Sequence, residues 1–400
     1  MDSVNYILSI EAKGIKLGFE RTQSMMEACG NPHLGLPSIQ VVGTNGKGSV
    51  CAILASILKA SGFKTGLFTS PHLVHLNERI RINGKSIPYF EIDEFILSYK
   101  QNIENIGATF FEVLTALACW YFRKENVDIA IMETGLGGRL DSVSICKPLA
   151  TIITPISLDH MEILGESLTE IAFEKAGAMK KNVICISARQ KLEVTAKLQS
   201  EAAKKRTPLY FLNEEKMDKI DVNIPGERQK ENTVLALTVL DHLNGFYIPD
   251  SAIKEGLKTV RWHGRNQMIQ EAPLVIFDVA HNVEGLLCFL DYYKSLEIVG
   301  KSILVIALYS RKRILNIVPL LESSFQHIIC TESGGHSPMP IEILGSYFSK
   351  DHSLDMIKDS KKAIQKGLDR LSLGDSMAIL GTHCLGPAVN KIFKISFDRI

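Results

Sequence analysis

Residues 38–50 read SIQVVGTNGKGSV, and the fold turns on how this stretch is interpreted. Ser38 to Val42 is a short run rich in β-branched residues that ends at a glycine, and beyond the loop Val50, Ile53, Leu54, Ile57 and Leu58 recur at helical spacing. The stretch is therefore a strand, a tight loop and the start of a helix. The common phosphate loop is written G-x-x-x-x-G-K-[ST], with the hydroxyl directly after the lysine. Here only Thr44 and Asn45 separate Gly43 from Gly46, and Gly48 intervenes between Lys47 and Ser49. The physics of anion binding survives the altered spacing. Glycines let backbone N–H groups turn toward a phosphate, and the helix adds its positive N-terminal end. Lys47 is then placed to reach the terminal phosphates, and Ser49 offers a hard oxygen to magnesium. A plain glycine-rich turn with a surface lysine has no use for three glycines within six residues followed by a hydroxyl.

Outward from the loop the same alternation continues. KTGLFTS, VDIAIME, LATIIT and NVICIS read as strands, while Phe111 to Lys124 and Leu168 to Met179 read as helices. Continuously apolar strands alternating with helices imply a mainly parallel sheet covered on both faces. After the amphipathic stretches Asn232 to Leu243 and Ser251 to Thr259, the polar segment VRWHGRNQMIQEAP interrupts the periodicity. Beyond it LVIFDVA, SILVIAL, HIICTE and DSMAILG are further strands, separated by helices at Val283 to Leu296 and Asp359 to Leu371. The expected architecture is α/β: an N-terminal P-loop ATPase domain over residues 1–262 and a smaller C-terminal Rossmann-like α/β domain over 263–400, with a ligand cleft between them.

Composition sets the bounds. A chain of 400 residues that is 46% hydrophobic can bury two cores. A formal net charge of +1 gives no global footprint for nucleic acid, and the local cluster Arg311, Lys312 and Arg313 reads as a solvated helix start. MDSVNYILSIEAKG lacks a basic stretch followed by an apolar one, and no apolar run approaches a membrane span of about 20 residues. A cytoplasmic protein is expected. The eight cysteines contain no C-x-x-C pair, which fits reduced core thiols better than a disulfide frame or zinc site.

Seven stretches occur in a telling order: GTNGKGS, TSPHL (69–73), ERIRING (78–84), METGLGGRLD (132–141), LDHMEILG (158–165), IAFEKAGAMK (171–180) and DVAHN (278–282). Together they resemble the folylpolyglutamate synthase and dihydrofolate synthase family, within the Mur-ligase-like ATP-dependent amide ligases. In that family the shortened phosphate loop is the normal spelling. The resemblance implies an enzyme that phosphorylates a carboxylate with ATP and lets the amine of L-glutamate displace phosphate. Its acceptor would be dihydropteroate, a reduced folate, or both, and its usual state a monomer. Such a site needs a phosphate cradle, magnesium, and positive groups where charge develops.

Site residues follow by similarity. Gly43, Thr44, Asn45, Gly46, Lys47, Gly48 and Ser49 would cradle the nucleotide, with Asn232, Arg265 and Asp278 reaching it from either side of the linker. Ser49, Ser70, Glu133 and His160 would hold magnesium, two ions in all: Ser70 with Glu133 near the β and γ phosphates, and Glu133 with His160 for the second. Lys47, Lys175, His160 and His281 would serve catalysis, Lys175 as a carbamate that supports magnesium and the acyl phosphate. Asp141 would contact the pterin. Read without the resemblance, Glu133 is a strand-end carboxylate, His160 and Asn232 are ordinary structural or exposed positions, and Lys175 is a solvated helix charge.

The chain also departs from the family pattern. W-P-G-R appears as WHGR (262–265), D-G-A-H-N carries Val279 in place of glycine, and L-D-A-T-N becomes LDSVS (140–144). An acidic-lysine-acidic turn has become SRKR (310–313), and CTESGGHSPMP (330–340) replaces a proline-arginine segment. ATP and acyl-phosphate chemistry are thus better supported than glutamate specificity. Two alternatives stay open: a ligase of the same chemistry with another acceptor or amino acid, and a non-catalytic relative that uses ATP to switch domain closure. Hinge motion is expected about RWHGRN (261–266).

Overall fold

The computed structural model describes residues 2–11, 14, 16–212, 220–310, 312, 314–335 and 337–400. Two sheets organise it. The strands in chain order are β1 (Ser38–Val42), β2 (Thr65–Phe68), β3 (Ile80–Ile82), β4 (Lys85–Ser86), β5 (Ile129–Glu133), β6 (Ala150–Ile153), β7 (Ile184–Ser187) and β8 (Leu209–Phe211), then β9 (Gln267–Gln270), β10 (Leu274–Phe277), β11 (Ser302–Ile306), β12 (His327–Cys330), β13 (Leu354–Met356) and β14 (Ser376–Leu380). The first eight form one sheet in the order β4-β3-β2-β5-β1-β6-β7-β8 and the last six a second in the order β13-β12-β11-β14-β10-β9.

Strand β1 sits near the middle of the first sheet, parallel to β5 on one side and β6 on the other. Its neighbours explain the continuous apolar runs. Successive residues of a strand face opposite sides. Ile129 and Ile131 pack under helices Lys47–Ala60 and Glu227–Leu240, while Ala130 and Met132 pack under helices Tyr89–Ile106 and Phe110–Lys124. The second sheet repeats this plan: Val305 and Ile379 face one core, Leu304 and Ile306 the other. Mainly parallel strands with helices on both faces confirm the α/β class in both halves.

Two elements escape the sequence reading. The polar segment after residue 260 carries one of them: Gln267–Gln270 is edge strand β9, antiparallel to β10. An edge strand exposes one face to water, so its sequence carries no apolar run. Likewise the turn Asn83-Gly84, both with positive φ (49° and 79°), closes the hairpin β3–β4. That hairpin is also where the C-terminal residues return. Arg81 donates to the Asp398 carbonyl at 2.6 Å and the Phe397 carbonyl at 2.9 Å, and Lys85 bridges to Arg399. The end of the second unit is thereby strapped to the edge of the first sheet.

Candidate active site

Parallel sheets present ligand sites at the carboxyl ends of their strands. Here β1 and β5 end side by side, and a cavity of about 250 Å³ opens over them. Gly43 leaves β1 with φ +146°, and a Cβ there would lie 1.9 Å from Thr154 Oγ1. Gly46 turns the loop at φ +90° against Asn232, whose Oδ1 would stand 2.6 Å from an added Cβ. No side chain fits either position. The loop is then tied to β6's end: Thr44 N–H donates to the Pro155 carbonyl at 3.0 Å, and Ser157 N–H donates to Thr44 Oγ1 at 3.1 Å. Helix Lys47–Ala60 begins directly after, so its first N–H groups face the cavity without intrahelical partners.

Charge is concentrated beneath this cradle. Glu133, the last residue of β5, is 3% exposed, accepts from Ser70 N–H at 3.1 Å and lies 3.8 Å from Lys47 Nζ. Burial raises its pKa, opposed by Lys47 and the Ser70 N–H. Lys175, on helix Leu168–Ala176, is buried rather than solvated and donates to the Gly43 carbonyl at 2.6 Å. Burial, reinforced by Lys47, lowers its pKa to about 7. Ser49 Oγ is buried with no hydrogen-bond partner among the described residues. A partnerless hydroxyl, a buried carboxylate and Ser70 beside it are the hard oxygen donors magnesium takes, and these residues fit that ion.

The second unit supplies the far wall. Asp278, just past β10, accepts from the Asn266 and Ala280 N–H groups, each at 2.7 Å, and burial raises its pKa against the pull of Arg265. Arg265, Asp278 and His281 line the same cavity as the loop residues 43–49, Ser70, Glu133, His160, Lys175 and Asn232. Asn232 is buried, not an exposed helix position.

Asp141 stands apart from this group. Its oxygens accept from the Leu136 N–H at 2.8 Å and the Val143 N–H at 3.0 Å, capping the turn Ser142–Ile145 and pinning the loop after β5. The altered neighbours are also internally satisfied: Ser144 Oγ donates to the Gly138 carbonyl at 2.6 Å, and Ser142 pairs with Thr115 at 2.8 Å.

Sequence reasoning missed a network across the cleft. Lys312 is not part of a solvated helix start; its ammonium pairs with Asp159, and its side chain is 12% exposed. Arg311 and Arg313 of the same cluster, and His336 of the 330–340 segment, lie outside the described residues. Burial opposes the charged form of Asp159, but the approach of His281 and the charges of His160 and Lys312 outweigh it and hold the carboxyl well below the usual range. The position of Asp159 beside His160 was the available signal; its partner lies 153 residues away.

A shortened phosphate loop, a buried carboxylate and lysine below it, and a second α/β unit closing from across the cleft define a nucleotide-dependent ligase of the Mur type. Residues 41–240 match the Mur ligase middle domain. The dihydrofolate synthase/folylpolyglutamate synthase of Bacillus subtilis is 36% identical over 304 residues, covering 68% of this chain and 71% of that protein. The protein of the same name from Escherichia coli is 30% identical over 369 residues, covering 88% and 86%. The solved structure of E. coli FolC in complex with DHPP and ADP superimposes with a TM-score of 0.89 at 27% identity, over 98% of each chain. The chain belongs to the folylpolyglutamate synthase and dihydrofolate synthase family, and it is an ATP-dependent ligase.

No helix among the described residues is long and apolar enough to cross a membrane.

Proposed function

We propose that this chain joins L-glutamate to dihydropteroate, to reduced folates, or to both, through an acyl phosphate. The observation that carries the reading is the convergence on one cavity of the phosphate loop, Glu133, Lys175 and, from the second unit, Arg265, Asp278 and His281. A carboxylate resists amines because negative charge shields its carbon and oxide is a poor leaving group. Attack of the carboxylate oxygen on the γ-phosphorus of ATP releases ADP and removes both faults. The glutamate nitrogen then bonds to the acyl carbon, and phosphate departs from the tetrahedral intermediate.

Residues 1–262 act as the domain that holds ATP and acceptor, and residues 263–400 close over them and bind the amino acid. Gly43 to Ser49 cradle the phosphates, Lys47 meets the charge that builds on the transferred group, and Arg265 forks onto phosphate oxygens. Asn232 and Asp278 order the nucleotide. Ser49, Ser70, Glu133 and His160 hold magnesium, two ions in our reading, which offset the phosphate charge when bound. Lys175 acts as a carbamate: with a pKa near 7 its amine is largely neutral and able to bond to carbon dioxide. Asp141 serves the pterin through the loop after β5 that it pins. His281 orders the closed site, and the enzyme works as a cytoplasmic monomer.

The test is direct. Purified protein is given ATP, magnesium and glutamate with dihydropteroate or tetrahydrofolate, and products are weighed by mass spectrometry alongside phosphate release. A gain of one glutamate on dihydropteroate, or successive gains on a folate, supports the reading. Phosphate release only with a different carboxylate or amino acid would replace it with a ligase of other specificity, as the altered 310–313 and 330–340 segments allow. ATP binding without turnover on any acceptor would leave a non-catalytic relative.

A further inference from the structure

Asp159 belongs to the first unit, yet most of its partners come from the second. Its Oδ1 accepts from the His160 N–H at 2.9 Å and from the Lys312 ammonium. Its Oδ2 faces His281 Nε2 at 3.6 Å and accepts from Asn282 Nδ2 at 3.4 Å. Asn282 continues across the cleft by exchanging amide hydrogen bonds with Asn45 of the phosphate loop at 3.0 and 3.3 Å, and Ser157 donates to Glu284 at 3.0 Å. Next in the chain is His160, on the cavity wall, with φ at 49°. A non-glycine residue keeps that left-handed conformation only where its surroundings impose it.

We propose that Lys312 and Asp159 are positioning residues that make the placement of His160 depend on closure of the second unit. The inference rests on the ligase reading of the same cavity. With the units together, Lys312 fixes the rotamer of Asp159, and Asp159 in turn holds the His160 backbone through its N–H. When the second unit moves away, Asp159 loses Lys312, His281 and Asn282 in one step and, among the described residues, keeps its bond to the adjacent N–H. Water then takes the vacated sites; Ser157 stays tied to Thr44 of the phosphate loop, and it is the Asp159–His160 end of the segment that loses its restraint from the second unit. Assembly of the reacting centre is thereby tied to closure, so phosphoryl transfer is suppressed while the site stands open to water. Lys312 acts through Asp159 rather than on the reacting atoms.

The experiment compares wild type with Lys312→Met, Lys312→Arg, Asp159→Asn and the Lys312→Met/Asp159→Asn double variant, all first checked for a wild-type-like melting curve. Lys312→Met should leave KM for ATP within about threefold, lower kcat about tenfold and raise the magnesium needed for half-maximal rate about tenfold, with Lys312→Arg recovering most of the loss. The double variant should be no worse than the poorer single one, because both break one link. Unchanged kcat and magnesium requirement in Lys312→Met, or a double defect equal to the product of the singles, overturns the proposal. If the wild type ligates no folate, small-angle scattering with a non-hydrolysable ATP analogue and magnesium still decides: compaction lost in Lys312→Met supports the link, and compaction retained refutes it.

Discussion

Replacing Lys175 with methionine should make the resting protein more stable while abolishing its turnover. Lys175 is 5% exposed beneath the phosphate loop, and its ammonium makes one hydrogen bond among the described residues, to the Gly43 carbonyl at 2.6 Å. Burial, with the charge of Lys47 added, moves its pKa from 10.5 to about 7. At about 1.36 kcal/mol per pKa unit, that fall amounts to about 5 kcal/mol against folding with the lysine in place. Methionine keeps the length without the charge, but leaves the Gly43 carbonyl unpaired at a cost of about 1–3 kcal/mol. A net gain of about 3 kcal/mol is expected at pH 7.

The sign of the pH dependence is fixed by the direction of the shift. Below pH 7 the lysine penalty is at its full size, since both states hold the proton and only the folded chain holds it in a buried site. As pH rises from 7 to 10.5 the folded amine is neutral while the unfolded one still carries its proton, so the advantage of methionine should shrink by about 1.4 kcal/mol per pH unit. Urea unfolding of both proteins at pH 6.5, 8 and 9.5, in buffer freed of carbon dioxide, measures this. A methionine variant less stable at pH 6.5, or a difference that does not change with pH, would refute the buried-amine reasoning. Catalysis should move the opposite way. At pH 7.5 a pKa of about 7 leaves about three quarters of the amine neutral, against about one part in a thousand at the ordinary value. Wild-type turnover should therefore fall in carbon dioxide-depleted buffer and return with bicarbonate, and it should fall as pH drops through about 7. Lys175→Ala should lose most activity with partial rescue by a small carboxylic acid; unchanged turnover sinks the carbamate.

Three further outcomes are expected. Gly43→Ala places a Cβ 1.9 Å from Thr154 Oγ1 at φ +146°, so it should lower stability by about 2–4 kcal/mol and weaken ATP binding, as calorimetry with ATP would show; wild-type affinity would contradict the tight seat. Glu133→Gln keeps the size of the side chain but removes the charge, and should cut kcat by at least about 100-fold without lowering the melting temperature, because burial already disfavours the carboxylate; turnover within threefold of wild type would remove Glu133 from the metal site. Arg81→Ala frees the Phe397 and Asp398 carbonyls and should cost about 3 kcal/mol in urea unfolding, with residues 397–400 becoming open to carboxypeptidase; an uncleaved tail would show that the strap does not depend on Arg81.

The central architecture was legible because buried parallel strands are written in apolar residues on both faces. VDIAIME and SILVIAL could only be interior strands, and the structure places them at the heart of each sheet. Edge elements were not legible for the same physical reason. β9 reads QMIQ and the β3–β4 hairpin reads IRINGKS, where one face meets water or a returning tail, so alternation is diluted by polar residues. Within the site, the phosphate loop, Glu133 and Lys175 could be gathered because short segments beside strand ends announce themselves through glycine and charge. The pair Asp159–Lys312 could not. It joins residues of two units, and only the approach of one unit to the other makes a surface-type lysine into a buried partner.

The departures from the family pattern gain a physical meaning once placed. His263, where the pattern has proline, donates through Nε2 to the Arg399 carbonyl at 2.9 Å and packs edge-on against Phe397 at 5.1 Å. Proline has no donor to offer there. Val279, where the pattern has glycine, donates its N–H to the Gly264 carbonyl at 3.1 Å, and its side chain packs over Gly264. Both changes thus act on the same turn of the linker, one tying it to the C-terminal strap and the other to the start of the Asp278–Asn282 segment. In SRKR the lysine of the acidic-lysine-acidic pattern is kept as Lys312, which holds Asp159 from the far side of the cleft, while the changed flanking residues Arg311 and Arg313 lie outside the described residues. Neither the His263 nor the Val279 change alters a residue of the phosphate cradle between Gly43 and Ser49. The changes at 263 and 279 both act on the linker where the two units meet, so their first physical consequence falls on the geometry of closure and only through closure on the chemistry of ATP, whereas LDSVS (140–144) is satisfied within the first unit.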